Sequence, residues 1–163
     1  MAKFNVYVTR LIPVEGLTLL RKTCSVEINP EDRPLSREEL LKNVKGRDGV
    51  ISLLTDRIDG EVMDTAKGIR GFANYAVGFD NLDVKAATAR KLPLSNTPGV
   101  LTLATAEMAW TLLFAVARRL IESEKLMRSG AWTGWGPMQF IGGDVTGKTL
   151  GIVGAGRIGT AMA

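Results

Sequence analysis

Gly154, Gly156 and Gly159 stand in the spacing Gly-x-Gly-x-x-Gly, inside the run Lys148-Thr-Leu-Gly-Ile-Val-Gly-Ala-Gly-Arg-Ile-Gly159. Glycines so spaced handle phosphates when they join a strand to a helix. The first permits a tight turn, and the second lets backbone approach a pyrophosphate. The third lets the helix pack closely on the strand, with the phosphates at the helix N-terminus. Leu150–Val153 is the short apolar run expected of such a strand, and Arg157-Ile158-Gly159 opens a helical pattern. The motif therefore reads as a dinucleotide-binding turn. A residue that reads the ribose belongs about 20 positions further on, whereas four residues follow Gly159. The chain is accordingly expected to be an N-terminal fragment of a larger polypeptide, with the choice between NAD and NADP made outside it. The sequence also has no histidine, the commonest general acid/base near neutral pH. If the parent uses one, it is expected beyond Ala163.

A second constellation is Ala73-Asn-Tyr-Ala-Val-Gly-Phe-Asp-Asn-Leu-Asp83. It follows a strand candidate and precedes a helix candidate, which puts it at the carboxyl edge of a sheet, where open α/β folds bind ligands. The backbone N–H groups around Val77 and Gly78 could converge on an anion such as a carboxylate. Gly78 lacks a Cβ, which permits close approach. Asp83 is placed to cap the helix that starts at Val84. Read alone, the loop is equally a tight turn and nothing more.

These two sites need elements to hold them. Strand candidates are Phe4–Thr9, Ser25–Ile28, Gly49–Leu54, Arg70–Ala73 and Leu92–Ser95; the first and third are rich in branched apolar residues without strict alternation, as in strands buried on both faces. Helix candidates between them are Val14–Lys22, Arg37–Val44, Gly60–Ala66 and Val84–Ala89. Ser36-Arg-Glu-Glu39 is a capping-box signature. This alternation argues for a parallel sheet with helices on both faces. Asn96-Thr-Pro-Gly99 is turn chemistry and reads as a hinge. Beyond it a long helix is expected from a cap at or near Thr102 to about Ser129, apolar all round through Phe114 and so buried, with a partner domain or subunit as its cover. Residues 130–143 form a glycine-rich arm with Trp132 and Trp135; arms of this type tend to be functional or to wrap a neighbour.

Composition bounds the class. With 45% hydrophobic and 23% charged residues, the chain is globular rather than disordered or fibrous. Cys24 is the single cysteine and the N-terminus lacks a signal-peptide apolar core, so a reducing cytoplasm is expected. The apolar window Met108–Ala117 is too short to span a bilayer, which takes about 20 residues. The net charge of +4 comes from scattered residues with no basic stripe, which argues against nucleic acid as a partner.

Taken in order, Ala-Val-Gly-Phe-Asp-Asn-Leu-Asp83, Asn96-Thr-Pro-Gly-Val-Leu-Thr-x-Ala-Thr-Ala-Glu107, Trp132…Trp135-Gly-Pro137 and Gly147-Lys-Thr-Leu-Gly-Ile-Val-Gly-Ala-Gly-Arg-Ile-Gly159 resemble the D-isomer-specific 2-hydroxyacid dehydrogenases. The glyoxylate/hydroxypyruvate reductase branch is the most similar part of that family. The resemblance implies an α/β fold: a flavodoxin-like parallel-sheet substrate domain over 1–97, then the truncated start of a Rossmann cofactor domain over 98–163. It also implies NAD(P)H-dependent reduction of a small 2-oxo acid such as glyoxylate or hydroxypyruvate, and a homodimer through the 102–129 helix and the 130–143 arm. By position, Val77 and Gly78 would hold the substrate carboxylate, with Leu53 lining the same pocket. Thr105 would contact the cofactor, Gly154 would make the turn, and Gly156, Arg157, Ile158 and Gly159 would cradle the pyrophosphate. The family's catalytic Arg, acidic residue and His follow the glycine motif, so none is assigned here and the fragment alone is expected to be inactive. Leu103, where relatives often carry Asp, and Gln139, where some carry an aromatic residue, depart from the pattern and bear on substrate choice. The competing reading is a non-catalytic, corepressor-like protein that senses the cofactor or serves dimerisation. The Val-Gly loop and the Trp-Gly-Pro arm favour the enzyme.

Overall fold

In the computed structural model, which describes residues 4–163, five short strands form a wholly parallel sheet: β1 (Phe4–Val8), β2 (Cys24–Ile28), β3 (Gly49–Ser52), β4 (Phe72–Asn74) and β5 (Leu94–Ser95), in the order β2-β1-β3-β4-β5. Val6 pairs with Val26 and Gly49, and Ser52 with Asn74. Parallel neighbours need crossovers, here α1 (Val14–Arg21), α2 (Arg37–Asn43), α3 (Gly60–Thr65) and α4 (Val84–Ala89). The chain divides into two compact units, Met1–Pro98 and Gly99–Ala163.

The core of the first unit lies under one face of the sheet. Tyr7, Val50 and Phe72 project from β1, β3 and β4 against Leu40, Val44, Val62, Met63 and Ala87 of the helical layer, all nearly or fully buried. The opposite face receives Leu17 of α1. Both faces of β1 are therefore closed, which is why Val6, Tyr7 and Val8 form an unbroken apolar run. Helix starts follow local chemistry. Ser36 Oγ accepts from Glu39 N–H at 3.2 Å while a Glu39 carboxylate oxygen accepts from Ser36 N–H at 2.7 Å, completing the expected capping box. Asp59 and Asp83 cap α3 and α4 in the same manner, accepting from Val62 and Ala86 N–H.

The second unit departs from expectation in three places. The 102–129 helix is two helices, α5 (Thr102–Ala117) and α6 (Leu120–Ser129), broken where Arg119 takes a left-handed φ of 52°. Arg119 is held there by a 3.0 Å ion pair to Glu122 and by its place over the Phe140 ring. The N-cap of α5 is Leu101, next to Thr102 as expected, with no side-chain cap bond. Leu150–Val153 joins no ladder. A strand is defined by its partner, and among the described residues of this unit no second strand is present. Finally, α5 is not buried on all sides. Met108, Leu112 and Val116 stay mostly exposed, while α7 (Arg157–Met162) packs on the helix through Trp110, whose indole N–H donates to Met162 O at 3.1 Å. No helix among the described residues is long and apolar enough to cross a membrane.

Candidate functional site

The loop after β4 begins at the carboxyl edge of the sheet. Three successive carbonyls of it are engaged: Ala76 O accepts from Thr97 N–H at 2.8 Å, Val77 O from the Asn96 side-chain amide at 2.8 Å, and Gly78 O from the Asn74 amide at 2.9 Å. No described residue accepts from the N–H groups of Val77 or Gly78, and both residues are exposed. Unpaired, exposed donors on successive residues are what an anion-binding backbone requires.

Buried polar side chains fix the floor of this loop. Asn74, 2% exposed, and Asn81 face one another in a reciprocal amide pair, each donating to the other's Oδ1 at 3.1 Å. Asn81 also donates to Leu53 O at 3.0 Å and Asp56 O at 2.9 Å, and Ser52 Oγ donates to Asn74 Oδ1 at 3.2 Å. Buried Asp56 accepts from Thr9 Oγ1 at 2.5 Å and from Leu53 N–H at 2.8 Å. These bonds gather the ends of β1, β3 and β4 under the loop. Among the described residues no buried side-chain polar atom lacks a partner, so the network is closed and stiff.

Leu53 lies in this network through its backbone, both of whose polar groups are engaged. Leu54 also reaches Gly78, with its Cδ2 3.7 Å from where a Gly78 Cβ would sit. Sequence reasoning gave Leu54, Asn74, Asn81 and Asn96 no role at this loop. Asparagines in turns are so common that only their register opposite particular carbonyls distinguishes them.

The glycine turn lies in the second unit. Gly154 has φ of +101°, a conformation that favours glycine. A Cβ on Gly159 would collide with Gly154 O and meet Ile152 Cγ2 at 3.3 Å, whereas one on Gly156 would meet nothing within 4 Å. The three glycines thus differ as the motif requires: a left-handed turn, an open approach, and a tight contact between the helix and the segment before it. The first-turn N–H groups of α7 lack intrahelical acceptors, as in any helix, so the residues present fit a pyrophosphate. Thr105 is exposed on the first turn of α5, and its hydroxyl donates to Leu101 O at 2.8 Å, which leaves the oxygen free to accept.

The model of the D-isomer specific 2-hydroxyacid dehydrogenase catalytic domain matches residues 6–156. The chain belongs to this family. Among its relatives, a glyoxylate reductase of Thermococcus gammatolerans is 52% identical over 165 residues, covering 99% of this chain and 49% of the relative. The solved TT0316 protein of Thermus thermophilus is 45% identical with a TM-score of 0.90, covering 97% of this chain and 51% of that one. A putative NAD-binding D-isomer specific 2-hydroxyacid dehydrogenase of Polaromonas is 34% identical with a TM-score of 0.93, over 98% and 50% of the two chains. The chain spans about half the length of the curated relatives it matches.

Proposed function

We propose that this chain serves the NAD(P)H-dependent reduction of a small 2-oxo acid, glyoxylate or hydroxypyruvate in the first place. The observation that carries the reading is the polarity of the 76–78 loop: its carbonyls are bonded, while the N–H groups of exposed Val77 and Gly78 have no acceptor among the described residues. Such a loop holds a carboxylate by charge-assisted hydrogen bonds and fixes the neighbouring carbonyl carbon in one orientation. Leu53 and Leu54 border it. A bound dihydronicotinamide supplies the hydride. The glycine turn at Gly154, Gly156 and Gly159, with Arg157 and Ile158, holds the cofactor's pyrophosphate, and Thr105 accepts a hydrogen bond from the cofactor. The residues of this chain bind and orient, and none is assigned a proton-transfer role. Residues 1–97 act as the substrate domain and 98–163 belong to the cofactor domain. The apolar stripe of α5, together with α6 and the arm, forms a homodimer contact. A reducing cytoplasm suits the lone, partly exposed Cys24.

The test is a titration of the isotope-labelled chain with oxalate, an unreactive analogue of a small 2-oxo acid, followed amide by amide. Saturable shifts centred on Val77 and Gly78, unmatched by chloride at equal ionic strength, are expected. A chain that bound nicotinamide nucleotides but left these amides unmoved by any carboxylate would instead be the cofactor-sensing protein.

A further inference from the structure

In a trans peptide the carbonyl and the following N–H lie in one plane and point in opposite directions, and no described residue has a cis bond. Tethering a carbonyl therefore aims the next residue's N–H. The Thr97–Ala76 bond aims the N–H of Val77, the Asn96–Val77 bond aims that of Gly78, and the Asn74–Gly78 bond aims that of Phe79. The three N–H groups have no acceptor among the described residues. Of the three tethers, one is backbone and one is the buried Asn74 side chain, locked in its pair with Asn81. The third, Asn96, is a partly exposed side chain at the end of β5 with a single bond to the loop.

We propose that Asn96 is a positioning residue of the carboxylate site: its side-chain N–H holds the Val77 carbonyl inward and so presents the Gly78 N–H to the anion, with Phe79 N–H as a third donor set by Asn74. Without that bond the Val77–Gly78 peptide plane is free to rotate, and the Gly78 donor must be ordered at the moment of binding. The inference rests on the carboxylate reading of the loop and adds to it the residue that pre-orients its second donor.

Asn96 also sits in turn chemistry ahead of Pro98, so its positioning role must be separated from a structural one. Aspartate serves such turns as well as asparagine does, but its carboxylate cannot donate to Val77 O. The experiment measures oxalate affinity and the Gly78 amide shift in wild type, Asn96→Ala and Asn96→Asp, with melting temperatures as the check on folding. Asn96→Asp is measured at high salt, where its added charge is screened. Expected are melting temperatures near wild type, oxalate binding weakened about tenfold in both variants, the scale of one charge-assisted hydrogen bond, and the largest loss of response at Gly78. If Asn96→Asp bound oxalate as well as wild type, Asn96 would be a turn residue only and the proposal would fall while the carboxylate site stood. If wild type showed no oxalate response at Val77 and Gly78, the functional reading itself would fall, and this proposal with it. If both variants unfolded, Asn96 would be holding the fold rather than the donor, which also overturns the proposal.

Discussion

Replacing Leu112 and Val116 together with aspartate is expected to convert a dimer of this chain into monomers. Met108, Leu112 and Val116 fall at i, i+4 and i+8 on one face of α5 and keep 56%, 58% and 79% of their surface exposed. Complete burial of such a side chain is worth about 1.5–3 kcal/mol, so covering the exposed fraction returns about 1–2 kcal/mol for each. A two-fold interface uses the stripe twice, for a gross gain of about 6–12 kcal/mol. Association costs about 4–15 kcal/mol in lost freedom of motion, which leaves the helix stripe alone marginal. Trp135, 83% exposed in the arm, contributes about 3–5 kcal/mol per copy when laid on a partner. Helix and arm are therefore both needed, and Trp135→Ala should by itself shift the dimer towards monomer. Sedimentation velocity at tens of micromolar reads the outcome directly. Leu113 is more buried than Leu112, so it is a poorer probe, because its loss would damage the fold as well as the contact. A well-folded, soluble wild-type monomer at that concentration would refute the reasoning.

Other expectations follow from single positions. Gly159→Ala should lower both the melting temperature and the affinity for NADH and NADPH, because its methyl meets Gly154 O; Gly156→Ala, facing open space, should lower affinity alone. Equal melting losses in the two would contradict that division. Ile58 is fully buried in the core, so urea unfolding should show Ile58→Ala costing about 2–5 kcal/mol and Ile58→Val about 0.5–1.5 kcal/mol. The side-chain hydrogen bond from Arg33, then the backbone bond from Ser36, hold the Glu39 carboxyl down from 4.5 to about 2. A carboxyl depressed in the folded state contributes its stability above about pH 4.5 and loses it as pH falls through about 2. Glu39→Gln should thus be less stable than wild type above pH 4.5 and converge with it near pH 2, and a gap that stayed constant would exclude the ion pair as its cause.

Much of the first unit was legible because local and global preferences agree there. The run at β1 is apolar on both faces because both faces are covered, and Ser36, Glu39 and Asp83 announce helix starts by chemistry that needs no tertiary context. The second unit resisted for two physical reasons. Leu150–Val153 has strand composition, but composition does not supply a neighbour, and without one there is no ladder. The break between α5 and α6 falls at an arginine with a positive φ, a conformation that sequence announces only through glycine or asparagine. What holds Arg119 there is an ion pair and an aromatic ring from Phe140, a residue of the arm.

The substrate loop divides along a similar line. Val77 and Gly78 could be singled out because a small residue after a strand marks where backbone is offered to a ligand. Which of their polar groups would be offered could not be read, since the answer depends on where three carbonyls are anchored. Two anchors are asparagine amides from different strands, Asn74 at the end of β4 and Asn96 just past β5, and the third is the N–H of Thr97. Each is an ordinary residue for its place, and only the parallel register of β4 against β5, with Phe72 beside Leu94 and Ala73 beside Ser95, brings Asn96 and Thr97 alongside the loop. The anion site is therefore a property of the sheet edge as a whole. A one-residue slip of β5 would leave every residue type in the motif unchanged, yet would carry both the Asn96 amide and the Thr97 N–H away from the carbonyls that they hold.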